Sequence, residues 1–444
     1  MTTIVRFAPS PTGRMHFGNA RTAILNWLMA RKNKGIFILR YDDTDLERSR
    51  EEYAAAILED LHWLGIEPDR IEHQSRRFER YAATAEKLKA LGRLYAAYET
   101  PEELDRRRKR QLGRGLPPVY DRSSLALTDE ERRRLEGEGR RPHWRFKLEQ
   151  RQVSWDDLIR GPQHIDTATL SDPILVREDG SYLYTLPSVV DNIDFAVTHV
   201  IRGEDHAVNT AVQIEIFEAL AGHAPQFAHH SLLTDREGKG LSKRLGSLTI
   251  GSLRDSGIEP MAVVSHAALL GTSESIVPHH SMDSLVAGFG LDKLSRAPAR
   301  FDEGELRTLN AKLLHGMEYG AVAEALRALG IDEGPQFWEA VRGNVASLGE
   351  ARQWHEIIRG RISADFNPED QALLSDAKML LPPEPWDRSS WTAWTNALKE
   401  RTGRTGKALV SPLRRALTGR DHGPELALLM PLIGRNEVER RLST

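Results

Sequence analysis

The residues best placed to do chemistry stand where short apolar runs stop. In RFAPSPTGRMHFGNARTA, residues 6–23, a histidine and two small residues lie where a buried strand gives way to a helix. That arrangement suits a nucleotide. Gly18 lets a flat base approach the backbone, and His16, near the helix N-terminus, can donate to phosphate oxygens whose charge rises during attack at phosphorus. A histidine at a helix start also serves as a plain cap, so H-x-G carries weight only through its setting. The acidic run Asp42-Asp43-Thr44-Asp45 has the same ambiguity, because it equally suits a turn ahead of the next helix.

The elements that position these residues follow from periodicity. Thr3 to Ala8 reads as a buried strand, broken by Pro9-Ser10-Pro11-Thr12-Gly13 before a helix with Ala20, Ala23, Ile24, Trp27 and Leu28 on one face. Gly35 ends that helix and Ile36 to Tyr41 reads as a second buried strand. Ser49 with Glu52 three residues on predicts a capping box for a helix to about Leu64. Two strand–helix units in succession predict a parallel sheet with right-handed crossovers and ligands beyond the carboxyl ends of its strands. The loops after Ala8 and Tyr41 are then at the site.

From about Tyr98 to Gly180 the chain turns charged, Arg-rich and Pro-punctuated, with strand candidates His143 to Leu148 and Pro173 to Val176, and reads as an insertion. The rhythm resumes with a strand from Tyr182 to Leu186, a helix near Val189, a strand from Thr198 to Arg202 and a helix from about Asn209 to Ala221. After a strand ending near Leu233 comes the Gly-rich loop DREGKGLSKRLGS, and from about Pro260 the apolar spacing is helical to the end.

Composition narrows the function classes. A length of 444 residues predicts about three units, and 40% hydrophobic with 28% charged residues is a globular balance. No apolar run approaches the roughly 20 residues that span a bilayer, which excludes membrane insertion. The start MTTIVRFAPSPTG lacks a basic segment followed by an apolar stretch, which predicts a cytoplasmic protein. The absence of cysteine excludes disulfides, thiol catalysis and cysteine-ligated zinc, leaving the 16 histidines as the softer metal donors. With a net charge of −3, any nucleic-acid contact must rest on local patches such as Arg106-Arg107-Arg108-Lys109-Arg110 and Arg132-Arg133-Arg134. Runs of that kind are also ordinary solvated helix faces.

The segment at residues 6–23 resembles the HIGH signature of class I aminoacyl-tRNA synthetases, in the PSPTG form typical of glutamyl-tRNA synthetases. DDTD at 42–45, THVIRGEDH at 198–206 and LSKR at 241–244 occur in that family's order and approximate spacing. SPLRRALTGRDHGPELALLMPLIGR, residues 411–435, is similar to the end of its anticodon-binding domain. Glutaminyl-tRNA synthetases usually read PPEPNG with HIGH, a glutamyl-queuosine enzyme would lack a helical module at residues 310–444, and a non-catalytic paralogue would lose His16 or Lys243.

The resemblance implies an α/β fold: a Rossmann-like doubly wound parallel sheet, an inserted α+β acceptor-binding domain and an all-α C-terminal anticodon-binding domain. It divides the chain into a catalytic first half at 1–97, the insertion at 98–180, a catalytic second half at 181–233, a stem-contact region at 234–305 and an anticodon-binding domain at 306–444. By position it assigns Arg6, Ala8, Ser10, Asp42, Tyr184 and Arg202 to glutamate. An arginine fork holds a carboxylate in a bidentate pair that a glutamine amide cannot reproduce, and Asp42 would meet the ammonium group. It assigns Thr12, Gly13, His16, Gly18, Asn19, Glu204, Asp205, Leu241, Ser242 and Lys243 to ATP, with His16 and Lys243 catalytic and Mg²⁺ accompanying the nucleotide. Arg106 to Arg110 become candidate phosphate contacts to tRNA. Two departures stand out: Asp42 replaces the commoner glutamate, and Gly240 occupies the first position of the K-x-S-K-R pattern, with Lys239 displaced by one. Some relatives hold a zinc in the insertion through cysteines, and none are present around Tyr95 to Pro101, so no structural zinc is expected. The implied partners are glutamate and tRNA(Glu), with tRNA(Gln) left open, and the implied state is a monomer.

Overall fold

The computed structural model describes residues 2–220, 223–235, 237–238 and 248–443. Contacts divide the chain into two units, Met1–Asp255 with Val263–Asp302 and Ser256–Ala262 with Glu303–Thr444.

In the first unit β1 (Ile4–Phe7) leads through the proline loop into α1 (Phe17–Lys32), and β2 (Ile36–Tyr41) returns beside it. Gly35 permits that return, because a Cβ there would lie 2.1 Å from Thr3 O, the carbonyl that accepts from the Ile36 amide at 2.8 Å. Then follow α2 (Glu51–Trp63), β3 (Arg70–His73) and α3 (Phe78–Ala90). The strands pair in parallel in the order β1-β2-β3, with Ile4 opposite Ile36 and Ile38 opposite Arg70.

The capping box expected at Ser49 does not form. The N-cap residue of α2 is Arg50, without a side-chain bond, and Ser49 Oγ is buried without a partner among the described residues. The Arg50 amide donates to Pro11 O at 3.0 Å and the Ser49 amide to Asp45 O at 2.9 Å, so loop-to-loop bonding sets the start of this helix.

β4 (Leu94–Ala97) opens a separate antiparallel sheet, followed by α4 (Pro101–Gly113) and α5 (Asp129–Gly137), each started by a capping box at Thr100 and Thr128. That sheet has the order β4-β5-β8, with β5 (His143–Phe146) in the middle and β8 (Ile174–Val176) at its edge. Between them β6 (Gln152–Asp157) and β7 (Gly161–Asp166), which the sequence reading missed, form a hairpin. The hairpin leaves its neighbours and joins the parallel strands further along the chain.

The strand read from Tyr182 to Leu186 is also corrected. Tyr182 makes a single bridge to Val176, and α6 (Thr185–Asp194) already includes Leu186. Pro187 sits in the first turn of α6, where its missing amide has no intrahelical acceptor to leave empty, so the apolar run feeds a helix. β9 (His199–Gly203), α7 (Ala207–Leu220) and β10 (Gln226–His230) follow, giving a sheet ordered β7-β6-β10-β9. The two parallel groups meet at Thr198, whose amide donates to Ile4 O at 2.9 Å and whose Oγ1 accepts from the Ile4 amide at 2.8 Å. The strand order therefore reverses between β1 and β9, the crevice in which doubly wound sheets bind ligands. Ile38, Val189, Val200, Phe217 and Phe227 fill the core around this sheet.

The rest of the unit holds β11 (Leu233–Thr234), α8 (Ile250–Asp255), the greater part of α9 (Pro260–Leu269), α10 (Met282–Gly288) and β12 (Ala299–Arg300). The stretch beyond Pro260 is thus helical apart from β12, which pairs in parallel with β11. The second unit is helical from α11 (Glu303–Gly316) to α19 (Arg435–Arg441) and packs around Trp338, Leu374, Trp394, Leu413 and Leu429. Buried Arg441 donates there to the carbonyls of Ile357, Ile358 and Gly360. The architecture is the α/β one expected: a Rossmann-like parallel sheet, an inserted α+β segment and a helical C-terminal part. Among the described residues no helix is long and apolar enough to cross a membrane.

Candidate active site

A cavity of about 800 Å³ opens at the strand-order reversal, walled by the strand-end residues Arg6, Asp42, Arg202 and His230 and by His16, Gly18 and Asn19 at the start of α1. The loop after β1 is tied to the loop after β2 by the Asp42 amide, which donates to Pro9 O at 3.0 Å, so Ala8 and Ser10 reach the same wall. Tyr184, Glu204 and Asp205 complete the residues that the sequence pointed to and the fold assembles here.

His16 is the N-cap residue of α1, its Nδ1 accepting from the Asn19 amide at 3.2 Å. Burial holds its pKa below the ordinary imidazole value. A neutral imidazole that accepts at Nδ1 carries its proton on Nε2, which leaves that nitrogen as a donor. Capping and donation are therefore compatible roles for one ring. The helix start is braced from the far side of the Gly-rich loop, where the Phe17 amide donates to Leu248 O at 3.3 Å and the Ile250 amide to Met15 O at 2.9 Å.

The opposite wall carries buried positive charge. Arg6 and Arg202 are each 5% exposed, and Arg40, which the sequence reading passed over, is fully buried. Arg40 grips Asp42 with both forks, Nε to Oδ1 at 2.7 Å and Nη2 to Oδ2 at 3.1 Å, and lies 3.7 Å from Asp191. Burial raises the Asp42 pKa above the ordinary carboxylate value, and the Arg40 charge works against that rise. Arg202 donates from Nη1 to Tyr184 OH at 2.7 Å and from Nη2 to Thr210 Oγ1 at 2.8 Å. Arg6 differs from both. Among the described residues its hydrogen bond goes to Ile201 O at 3.3 Å, and its Nε is buried without a partner. Burial, with Arg40 and Arg202 nearby, brings its pKa down to about 9. A buried cation this poorly compensated is a ready receptor for an anion.

Arg40 had a legible signal, an arginine inside the apolar run IFILRY two residues before Asp42 and so on the same face of the strand. Thr22 and His230, joined Oγ1 to Nε2 at 3.0 Å on the cavity wall, had none. Other assignments fall elsewhere. Thr12 and Gly13 belong to the proline loop but do not line the cavity. Glu204 is engaged by the protein, with Oε2 2.5 Å from Arg160 and Oε1 accepting from the Leu232 amide at 3.2 Å. Leu241, Ser242 and Lys243 lie outside the described residues. The basic run lies on α4, which buries none of its residues. Arg107 turns back to Glu99 and Asp121, Lys109 pairs with Asp105, and Arg108 and Arg110 are exposed.

Comparison with known proteins gives a consistent set of relatives. A family model described as tRNA synthetases class I (E and Q), catalytic domain, matches residues 2–308, and one described as an anticodon binding domain matches residues 361–444. The chain is 60% identical over 444 residues to glutamate–tRNA ligase 2 of Beijerinckia indica subsp. indica, covering 99% of this chain and 98% of that one. It is 55% identical over 455 residues to glutamate–tRNA ligase 1 of Brucella ovis, covering 99% and 100%. Among solved structures it is similar to a glutamate tRNA ligase from Elizabethkingia meningosepticum in complex with its amino acid, with a TM-score of 0.87, 29% identity and coverage of 100% and 98%.

Proposed function

The chain belongs to the class I tRNA synthetases of the E and Q group, and from that premise we propose that it is a glutamate–tRNA ligase whose glutamate pocket is the arginine-lined cavity at the strand reversal. The observation that carries the pocket assignment is Arg6, a buried guanidinium short of acceptors beside Arg202. The side-chain carboxylate of glutamate supplies those acceptors. A neutral glutamine amide leaves one of its two forks facing a donor, which penalises the wrong amino acid by an unpaired buried group. Asp42, held flat by Arg40, offers its outward lone pairs to the substrate ammonium.

The reaction then needs no covalent enzyme intermediate. The α-carboxylate of glutamate attacks the α-phosphorus of ATP, pyrophosphate leaves, and a terminal ribose hydroxyl of tRNA displaces AMP from the mixed anhydride. The chain contributes position and charge. Adenine lies against Gly18, Nε2–H of His16 donates to the phosphate oxygens, and the charge of Lys243 offsets that of the departing pyrophosphate. Mg²⁺ would accompany the ATP phosphates and neutralise part of their charge.

The inserted segment 98–180 receives the acceptor end of tRNA and the helical part 306–444 reads the anticodon. Within the insertion Glu99 accepts from Ser123 Oγ at 2.8 Å, Ser124 Oγ at 2.9 Å and Tyr120 OH at 2.9 Å, a cross-link that ties the approach to α4 to the loop at residues 120–124. The protein acts as a cytoplasmic monomer with tRNA(Glu) as its substrate. Charging of separated tRNA(Glu) and tRNA(Gln) with labelled glutamate tests the whole reading. Glutamate-specific, ATP-dependent esterification of tRNA(Glu) is the expected outcome, and its absence overturns the proposal. The tRNA(Gln) lane shows whether the specificity is relaxed.

A further inference from the structure

Arg202 is held from behind by groups that substrate does not reach. Its Nε–H points at Nε2 of His229, 3.3 Å away, and His229 is fully buried. A guanidinium can only donate, so Nε2 of His229 is the acceptor, with Thr210 Oγ1 also 3.0 Å from it, and the ring proton sits on Nδ1. Nδ1 lies 2.5 Å from Asp157 Oδ2. The other oxygen, Oδ1, accepts from the amides of Ile159, Arg160 and His229 at 3.0, 2.9 and 3.1 Å, which fixes the carboxylate in place. Burial keeps the His229 pKa below its ordinary value in spite of the Asp157 bond, so the ring is neutral and one tautomer is selected. Asp157 closes β6, the missed hairpin of the inserted segment, and sits opposite Phe227 in β10.

We infer that Asp157 and His229 are positioning residues for glutamate recognition: the carboxylate sets the tautomer of the imidazole, and the imidazole aims the Arg202 guanidinium at the substrate carboxylate. The inserted hairpin is thereby part of the amino-acid pocket. This inference rests on the reading of Arg202 as a glutamate ligand.

The test is Asp157→Asn. The asparagine oxygen must stay with the three backbone donors, which leaves its NH₂ facing Nδ1. His229 then accepts at Nδ1, carries its proton on Nε2, and presents a donor to the Arg202 Nε–H donor. The expected result is a KM for glutamate raised about 10- to 100-fold, the usual loss when such a supporting partner is removed, with the KM for ATP unchanged. His229→Gln added to Asp157→Asn places an amide oxygen near the former Nε2 and should return the glutamate KM most of the way to the parent value. A well-folded Asp157→Asn variant with an unchanged glutamate KM overturns the inference, and so does a raised KM that His229→Gln fails to lower. Should Asp157→Asn not fold, the single variants decide: His229→Gln close to the parent and His229→Asn with a raised glutamate KM support the inference, and equal KM values in the two overturn it. Arg202→Gln is the control. If it leaves the glutamate KM unchanged, the pocket reading itself falls. If it raises the KM where Asp157→Asn does not, only the positioning role falls.

Discussion

Arg6→Met is expected to stabilise the ligand-free protein while it weakens glutamate binding. The side chain is 5% exposed, its Nε has no partner among the described residues, and burial with the Arg40 and Arg202 charges brings its pKa well below the ordinary guanidinium value, to about 9. A shift in that direction means that keeping the charge in the folded protein is unfavourable, on the order of a few kcal/mol for a buried charge without a full set of partners. Methionine keeps most of the packing volume and gives up the bond to Ile201 O, worth about 1 kcal/mol. A net gain of about 2–4 kcal/mol follows, in line with the behaviour of other buried charges replaced by apolar side chains. A thermal melt should move up by several degrees. The sign of the pH dependence is fixed as well. Because the folded pKa lies below the unfolded value, the penalty is fully present below about 9 and relieved as the pH climbs from there toward the ordinary guanidinium value, so the advantage of the variant should shrink as the pH rises above about 9. Losing a charge-assisted pair worth about 1.5–3 kcal/mol should raise the glutamate KM about 10- to 150-fold in ATP–pyrophosphate exchange with tRNA present. A variant less stable than its parent at pH 7 would refute the reasoning, because it would mean the Arg6 charge is already compensated without substrate.

His16→Ala should lower kcat about 100- to 1000-fold with little change in the glutamate KM, since it removes the proposed donor to the reacting phosphate; a change confined to KM would place His16 in ground-state binding. Ser49→Ala should leave stability within about 0.5 kcal/mol by denaturant melts, where loss of a true N-cap would cost about 1 kcal/mol. The bonds to His229 and the backbone outweigh burial and bring the Asp157 carboxyl down to about 2, against an ordinary 3.8. A depressed carboxyl stabilises above the unfolded pKa, so the advantage of the parent over Asp157→Asn, about 2 kcal/mol from this source, should hold above pH 5 and decline as the pH falls from about 4 toward 2; a constant difference through that window would show that ionisation of Asp157 contributes nothing.

Much of the site was legible because its residues sit at the ends of apolar strands, where sequence reading is at its strongest. Ile36–Tyr41 was placed without error, and the strand ends and loops that carry Arg6, His16 and Asp42 followed from the two strand–helix units. What was missed depends on contacts distant in sequence. Asp157 and His229 are 72 residues apart, and nothing near either predicts that one will fix the tautomer of the other. The β6–β7 hairpin was hidden because it lies in a stretch read as a charged insertion and its strands carry few apolar residues, β6 burying only Val153 and Asp157 and β7 none. The Ser49 cap failed for the opposite reason. Its local pattern was sound, but the Arg50 amide found Pro11 O across a loop that a linear reading could not bring near. Tyr182 to Leu186 shows the known ambiguity of short apolar runs, resolved here by where Pro187 falls in the helical turn.

The central claim is that glutamate is selected by the paired guanidiniums of Arg6 and Arg202, and the most direct measurement is a crystal structure with glutamate bound. The side-chain carboxylate should lie within hydrogen-bonding distance, roughly 3 Å, of both guanidiniums and beside Tyr184, with the ammonium group against Asp42. Glutamate bound with that carboxylate away from Arg6 and Arg202, or bound outside the cavity, would contradict the account.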